Sequence, residues 1–413
     1  MEKYKWPLNT INHSYLDRIK LALFFLNKKN RWTIGNKVEK FEHIFAKFLG
    51  VKYVIATSSG STANSILSHY WKDKNIKEFN NGKNHIIFNG ISWSTNVNPW
   101  IRDGFIPIFL DINLENFSID CDKLEKFLIQ NCQKISCIFC TGLIGYSPNI
   151  EKLELICNKY KIKLFFDFCE SSLSQYYNKS IFNIIHIGKN HTHTHSFYLG
   201  HLICGCELGC IATNDEYEYQ EFLLYRNHGL LRSLEKLKNV KIDHRLYQSL
   251  QNELVDDSFS FARIGNNYRP TEINAYTAIL DLNRINYYIL KRKLLFETFY
   301  KNIDKQKFYL PKIIDFNKYF NVHFCLPLII NKEYKKDKYI LFQNVQILLD
   351  NERIERRPII SSTFTRQRIY QKYGNHEDLE NCEYITKMGC YIGLYPQLKI
   401  SQIIKLTKKL NII

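Results

Sequence analysis

Short, strongly apolar runs alternate with helical patterns along the first half of the chain, and this alternation constrains the fold most. KYVIATS, HIIFNG, FIPIFLDI, ISCIFCTG and IKLFFDF read as strands; between them, CDKLEKFLIQ and NIEKLELICNKY carry apolar residues at helical spacing. Strands this uniformly apolar need cover on both faces, so the pattern predicts an α/β fold with a mostly parallel sheet sandwiched by helices. Upstream, NKVEKFEHIFAKFLG places Val38, Phe41, Phe45 and Phe48 on one helical face, with Gly50 suited to end it. Small residues in SGSTANSILSHY open another helix, along which Ala63, Ile66, Leu67 and Tyr70 recur at helical spacing. Beyond NYRPTEINAYTAILDLNRI a long helix and mixed strands follow. A large domain over 1–280 and a smaller C-terminal α+β domain over 281–413 are expected.

The 413 residues, 45% of them hydrophobic, suffice for a sizeable core and exclude a disordered chain. The longest apolar run near the N-terminus, LALFFL, is too short for a membrane span and makes no convincing leader, so a cytoplasmic protein with no membrane partner is expected. Several of the twelve cysteines, such as Cys137 and Cys140 in ISCIFC, sit in apolar runs as small hydrophobes of a reduced protein. CGC at Cys204–Cys206, with Cys210, is a weak metal signal, and no metal is expected. The formal charge of +17 comes from lysines scattered among Asn and Ile rather than a basic stripe. That favours a compositional bias, with general attraction for anionic ligands, over nucleic-acid binding.

Ligands of open α/β sheets bind at the carboxyl ends of the strands, and four segments fall there. SSGSTAN, Ser58 to Asn64, joins a strand to a helix; it is either an ordinary cap or a phosphate site built from helix N-terminal amides. It lacks both GxGxxG and a Walker lysine. SWST, Ser92 to Thr95, offers Trp93 as a plate for a flat ring or as a core residue. In FFDFCESS, Asp167 ends an apolar strand and Glu170 follows; an acid there caps a helix or partners a buried cation such as a protonated pyridine. The fourth is SFYLGHLICGCELG, in which His201 is the only side chain before Glu207, its cysteines aside, that titrates near neutral pH. HTHTH, His191 to His195, just precedes it and reads as a polar strand edge or, through alternate residues, a metal site.

In this order the parts make a pyridoxal-phosphate site, and the chain resembles the DegT/DnrJ/EryC1/StrS sugar aminotransferase family of fold-type I enzymes from WTIGNKVEKFE to YIGLYPQL. The resemblance implies a fold-type I PLP-dependent transferase architecture. It implies that Gly60 and Ser61 bind the cofactor phosphate, that Trp93 stacks on the ring, that Asp167 pairs with the pyridine nitrogen, and that Glu170 reaches the ring hydroxyl. SFYLGH resembles the family's SFYPxK, which implies Ser196 as a phosphate ligand and His201 where a Schiff-base lysine is usual. NNYRPTE resembles the segment that lends Asn267 to a neighbouring subunit, implying a homodimer with shared active sites.

Lysine holds pyridoxal phosphate as an imine; a neutral imidazole cannot, but it moves protons near neutral pH. The same change marks the family's nucleotide-sugar 3-dehydratase branch, which removes the C3 hydroxyl of a nucleotide-linked 4-keto-6-deoxyhexose in dideoxysugar biosynthesis. GHLICGCELG is similar to that branch's GHHI…GEGG, from which Leu202, Cys206 and Leu208 depart. ERRPIISSTFTRQ, with Arg357, resembles the substrate segment of the branch acting on GDP-4-keto-6-deoxymannose. This implies a lyase using non-covalent pyridoxamine phosphate, with His201 as acid and base and an amino donor such as glutamate. No cysteine lies between Cys210 and Cys325, so the iron–sulfur cluster of one sub-branch is not expected. The rivals are a nucleotide-sugar aminotransferase, for which Lys189 lies far upstream, and a catalytically degenerate binding protein.

Overall fold

The computed structural model describes residues 3–178, 183–235, 259–311 and 319–413. A seven-stranded sheet is built from β1 (Tyr53–Thr57), β2 (His85–Asn89), β3 (Ile106–Leu110), β4 (Ile135–Thr141), β5 (Lys163–Asp167), β6 (Thr192–Ser196) and β7 (Gly209–Thr213). Their order across the sheet is β1-β7-β6-β5-β4-β2-β3. Strand β7 runs antiparallel to both its neighbours, and the remaining pairs are parallel. The mostly parallel sheet is therefore present. Every residue of β4 is buried, including Cys137 and Cys140, so its near-continuous apolar run is that of a strand covered on both faces.

Helix α1 spans Tyr15–Leu26, α2 spans Asn36–Leu49 and α3 spans Gly60–Lys74. Along α2, Val38, Phe41 and Phe45 are buried, but Phe48 is 38% exposed and Leu49 takes its place. Leu49 lies nearer the middle of the apolar stripe, and Phe48 only at its rim. Gly50 ends α2 in the left-handed region at φ 67°, as its sequence position predicts. Ala63, Ile66, Leu67 and Tyr70 of α3 are all buried.

HTHTH is not a polar edge. All of it but His191, which is half-buried just before the strand, lies in β6, paired on both sides, and Thr192, His193, Thr194 and His195 are buried. Their polar atoms are only partly matched: His193 Nδ1 lies 2.7 Å from His195 Nε2 and Thr194 Oγ1 donates to Asn64 Oδ1 at 2.6 Å, while His193 Nε2 and His195 Nδ1 are buried with no hydrogen-bond partner. Among the described residues no cluster of three His, Cys, Asp or Glu side chains is arranged to hold a metal ion.

A second, antiparallel sheet has β8 (Phe308–Tyr309), β9 (Cys325–Ile330), β10 (Arg356–Pro358) and β11 (Gly389–Gly393) in the order β8-β9-β11-β10. The expected long helix, Ile285–Asn302, and the final helix, Ile400–Ile412, share its apolar core. Trp6 also belongs to that core, and its indole N–H donates to Gly393 O at 2.9 Å. In the helical, aromatic-rich region after β7 a helix spans Glu216–Arg226; residues 236–258 lie outside the described set.

The sheet meets α3 at one point of very close approach. A Cβ on Gly209 would sit 2.2 Å from the Ser59 carbonyl carbon and 2.3 Å from the Gly60 nitrogen. Gly209→Ala is therefore expected to displace the start of α3, destabilising the protein by about 1–3 kcal/mol. Thermal melting of the variant beside wild type checks it; an unchanged midpoint would contradict this contact.

Candidate active site

Strand register brings the predicted segments to one edge of the sheet. Thr57 lies opposite Gly209, and Gly209 opposite Ser196. Asp167 lies opposite both Thr194 and Thr141. The ends of β1, β4, β5 and β6 thus form a continuous rim, with the N-terminus of α3 resting on it.

Ser59 caps α3: its hydroxyl accepts from Thr62 N at 3.2 Å, while its carbonyl accepts from Ala63 N at 3.1 Å. These bonds leave the Gly60 and Ser61 amides outside the helix's own ladder, as the first donors of a helix must be. Gly60 packs so tightly that an added Cβ would lie 2.7 Å from Ser196 Cβ and 3.0 Å from Cys169 Sγ. A cap and an anion cradle are here the same turn, with Ser196 beside it.

Asp167 ends β5 and is 3% exposed. Its Oδ2 accepts from Asn64 Nδ2 and Asn96 Nδ2, each at 2.8 Å, and its Oδ1 from Cys169 N at 2.8 Å. Burial pushes its pKa up, and the bonds from Cys169, Asn64 and Asn96 pull it back. Asn64 and Asn96 went unread in the sequence, although Asn64 closes the quoted SSGSTAN. Asn96 ends the short turn carrying Trp93, which is 59% exposed and so is not a core tryptophan. Glu170 Oε2 accepts from Ile144 N at 2.7 Å, and burial raises its pKa to about 8.

His201 follows β6 in a turn closed by its own N–H to Tyr198 O at 2.9 Å. Its Nδ1 meets Ser196 O at 3.2 Å, and a carbonyl only accepts, so the neutral ring carries its proton there and keeps Nε2 basic. Phe324 stands edge-on to the imidazole at 5.6 Å between centroids. Burial lowers the His201 pKa to about 4; carbonyl contacts with Cys169 and Ser196 oppose the shift and Arg292 adds to it.

The second sheet completes the rim. Phe364 N donates to Gly90 O at 2.9 Å, and Ser361 Oγ donates to Ser92 O, so the 359–364 segment lies directly on the loop bearing Trp93. Arg357 is exposed on β10, paired in register with Tyr391, and bonds Glu355 Oε1 at 3.1 Å. The Tyr391 ring lies 6.1 Å from that of Phe324, and burial, with Glu170 adding to it, pushes its hydroxyl pKa up. Arg292, Phe324 and Tyr391 had no sequence signal, because isolated residues on distant elements form no motif.

Asn267 stands apart. It is exposed, and its amide oxygen accepts from Arg269 Nε at 2.9 Å, while the next residue's carbonyl, Tyr268 O, accepts from Ser58 N at 2.9 Å. The residues otherwise fit the group the sequence implies: an N-terminal amide pair beside a serine for a phosphate, an exposed indole for a ring, and a buried carboxylate for a pyridinium.

Comparison with known proteins agrees. The chain is 29% identical over 379 residues to GDP-4-keto-6-deoxy-D-mannose 3-dehydratase of Escherichia coli O55:H7, covering 88% of each chain. A solved structure of the E. coli GDP-4-keto-6-deoxy-D-mannose 3-dehydratase with bound hydrated PLP superposes with a TM-score of 0.82 at 26% identity, covering 98% of this chain and 99% of that one. Another, of GDP-4-keto-6-deoxymannose 3-dehydratase with a trapped PLP–glutamate geminal diamine, has a TM-score of 0.81 at 25% identity, covering 98% of this chain and 100% of that one. The profile of the DegT/DnrJ/EryC1/StrS aminotransferase family matches residues 17–411, and the chain belongs to that family.

Proposed function

We propose that the chain is a pyridoxamine-phosphate-dependent 3-dehydratase of a nucleotide-linked 4-keto-6-deoxyhexose, with GDP-4-keto-6-deoxy-D-mannose, named for its relatives, as the substrate to test first. The observation that carries this reading is His201, whose environment keeps the ring neutral at neutral pH at the position where the family's lysine is expected. A transaminase reading has to find another lysine. Lys189 fails: its side chain runs past Gly50, at 3.9 Å from that residue's Cβ position, by the end of α2 that feeds the start of β1. That is the opposite edge of the sheet from the site.

In this reading the Gly60 and Ser61 amides with the Ser196 hydroxyl hold the phosphate, Trp93 covers the ring, Asp167 keeps the pyridine nitrogen protonated, and Glu170 meets the ring hydroxyl. When bound, the cofactor supplies an amine for the sugar ketone and a ring that accepts an electron pair. His201 takes a proton at Nε2 and returns it to the departing C3 hydroxyl. With a pKa of about 4 its imidazolium is a strong acid, so the return is favourable. Arg357 faces the sugar nucleotide. Glutamate as amino donor is supported by the adduct named for a relative.

Three further parts of the reading rest on the sequence. Residues 1–280 form the cofactor unit and 281–413 the smaller one. Asn267 completes the site of a second subunit, making a homodimer. The chain works in the cytoplasm without nucleic acid or a membrane; among the described residues no helix is long and apolar enough to cross one.

Borohydride treatment after incubation with pyridoxal phosphate should leave no pyridoxyl-lysine at the site; finding one by peptide mass spectrometry would restore the transaminase reading. His201→Asn should retain cofactor and sugar nucleotide but lose ~10²–10⁴-fold in dehydration rate. In wild type the acid limb of kcat/KM should fall through about pH 4 and not through the ordinary imidazole range, because protonation removes the base. Wild-type turnover in His201→Asn, followed as 3-deoxy product by mass, would make the histidine structural. Asn267→Ala should weaken cofactor retention in a dimer, measured by dialysis and sedimentation; full retention in a dilute monomer would oppose the shared site.

A further inference from the structure

Lys5 to His13 form an irregular strap ahead of α1 that the dehydratase reading leaves unused. One end is fixed to the second sheet. Trp6 lies in its core, Glu355 N donates to Trp6 O at 2.8 Å, and Leu8 N donates to Glu355 Oε2 at 3.1 Å. The other end reaches the helix Glu272–Leu282, where Thr277 O accepts from His13 Nε2 at 3.2 Å and Asp281 Oδ1 lies 3.4 Å from the same nitrogen. Both ionisable side chains are buried, His13 with 5% of its side-chain surface exposed and Asp281 with none.

Asp281 faces two ways. Its Oδ1 meets His13 and accepts from Tyr288 Oη at 3.4 Å, with Arg284 at 3.9 Å; its Oδ2 accepts from the buried Cys204 N at 2.9 Å. Cys204 belongs to the turn that carries His201. Two bonds close that turn on itself, His201 N to Tyr198 O at 2.9 Å and Gly205 N to Phe197 O at 2.7 Å. Asp281 adds a bond from outside it. The strap also abuts the residue before His201, since a Cβ on Gly200 would lie 3.1 Å from Asn9 Nδ2.

We propose that Asp281, seated by His13 of the strap, is a positioning residue for His201, fixing the height of the imidazole through the Cys204 amide. The inference rests on the reading of His201 as acid and base. A fully buried carboxylate is costly unless its oxygens are filled, so Asp281 stays where its donors from the strap, the next helix and the turn all reach it. An anchor set from three sides on a helix is stiffer than the turn it holds. A general base needs that stiffness, because proton transfer falls off steeply once the base leaves hydrogen-bond reach of the proton it takes.

The test separates positioning from stability and from the reaction class. Asp281→Leu keeps the volume and removes the acceptor of the Cys204 amide; kcat should fall roughly 10–100-fold, with KM and cofactor retention unchanged. Asp281→Asn, whose amide oxygen still accepts from Cys204 N, should recover most of that loss. In a His201→Asn background Asp281→Leu should cost nothing further, since no imidazole remains to be placed. An NMR titration of the His201 imidazole needs no turnover: its midpoint, at about pH 4 in wild type, should move up toward the ordinary imidazole range in Asp281→Leu as the loosened turn admits water. Should Asp281→Leu not fold, His13→Phe carries the test, with the same changes in kcat and midpoint expected in smaller measure. Inactive wild-type protein whose His201 midpoint still shifts in the variant would defeat the dehydratase reading and support the placement of the imidazole. A folded variant with wild-type kcat and an unmoved midpoint, or a loss repeated in full in the His201→Asn background, would overturn the proposal.

Discussion

A carboxylate taken out of water costs several kcal/mol unless its lone pairs are filled, and Asp167 is the buried charge around which the site is arranged. Its three donors come from three separate elements: Asn64 on α3, Asn96 at the end of the Trp93 turn, and the amide of Cys169 beyond β5. Asn64 is itself fixed, because its carbonyl accepts from Thr194 of β6 and its amide also reaches Thr95 O at 3.2 Å. One carboxylate thereby sets the height of α3 above the sheet and the position of the loop bearing Trp93. Gly209 and Gly60 permit the approach by having no Cβ where Ser59 and Ser196 stand.

The parts of this arrangement that live in local sequence were legible there. Apolar runs gave the strands, helical spacing gave α2 and α3, and the acid at the end of FFDF gave Asp167. Histidine in SFYLGH was visible as a departure from a motif. HTHTH misled because alternating Thr and His look like a solvated edge, whereas each side chain finds its partner only in the folded sheet. Thr192 and Thr213 both bond the buried Glu218, and Thr194 bonds Asn64. Asn96, Arg292 and Tyr391 were invisible for the same reason: their importance lies in contacts made across long sequence separations. Arg292, for instance, donates to the carbonyls of His323 at 3.1 Å and Phe324 at 2.9 Å, fixing the strand start that meets His201.

Part of the backbone strain lies near the same rim, four of the eight non-glycine residues with positive φ among the described residues. Ile144 at φ 45°, Cys206 at 60°, Ile360 at 54° and Ser362 at 74° occupy the left-handed region without being glycine. For a β-branched residue such as Ile144 or Ile360 this is costly, by about 1–3 kcal/mol each. Such conformations persist where neighbours over-determine them. Glu170 holds the Ile144 amide, and Gln367 Nε2 holds Ser362 Oγ at 3.1 Å. Turns of this kind aim backbone groups inward at the rim, which straight strand ends cannot do.

The titrations of His201 and Glu170 share one cause with opposite signs. Burial disfavours charge, so it lowers the imidazole to about 4 and raises the carboxyl to about 8, and at neutral pH both groups are largely uncharged. The same surroundings would act on a lysine at position 201 in the direction they act on the histidine, since both are cationic when protonated. A lysine depressed by burial is a free amine, the nucleophile that imine formation needs. An imidazole depressed by burial is a free base with no means of holding the cofactor covalently. One environment therefore serves either chemistry, and the side chain placed in it decides between them: an amine tethers the cofactor, whereas an imidazole leaves it untethered and moves only the proton.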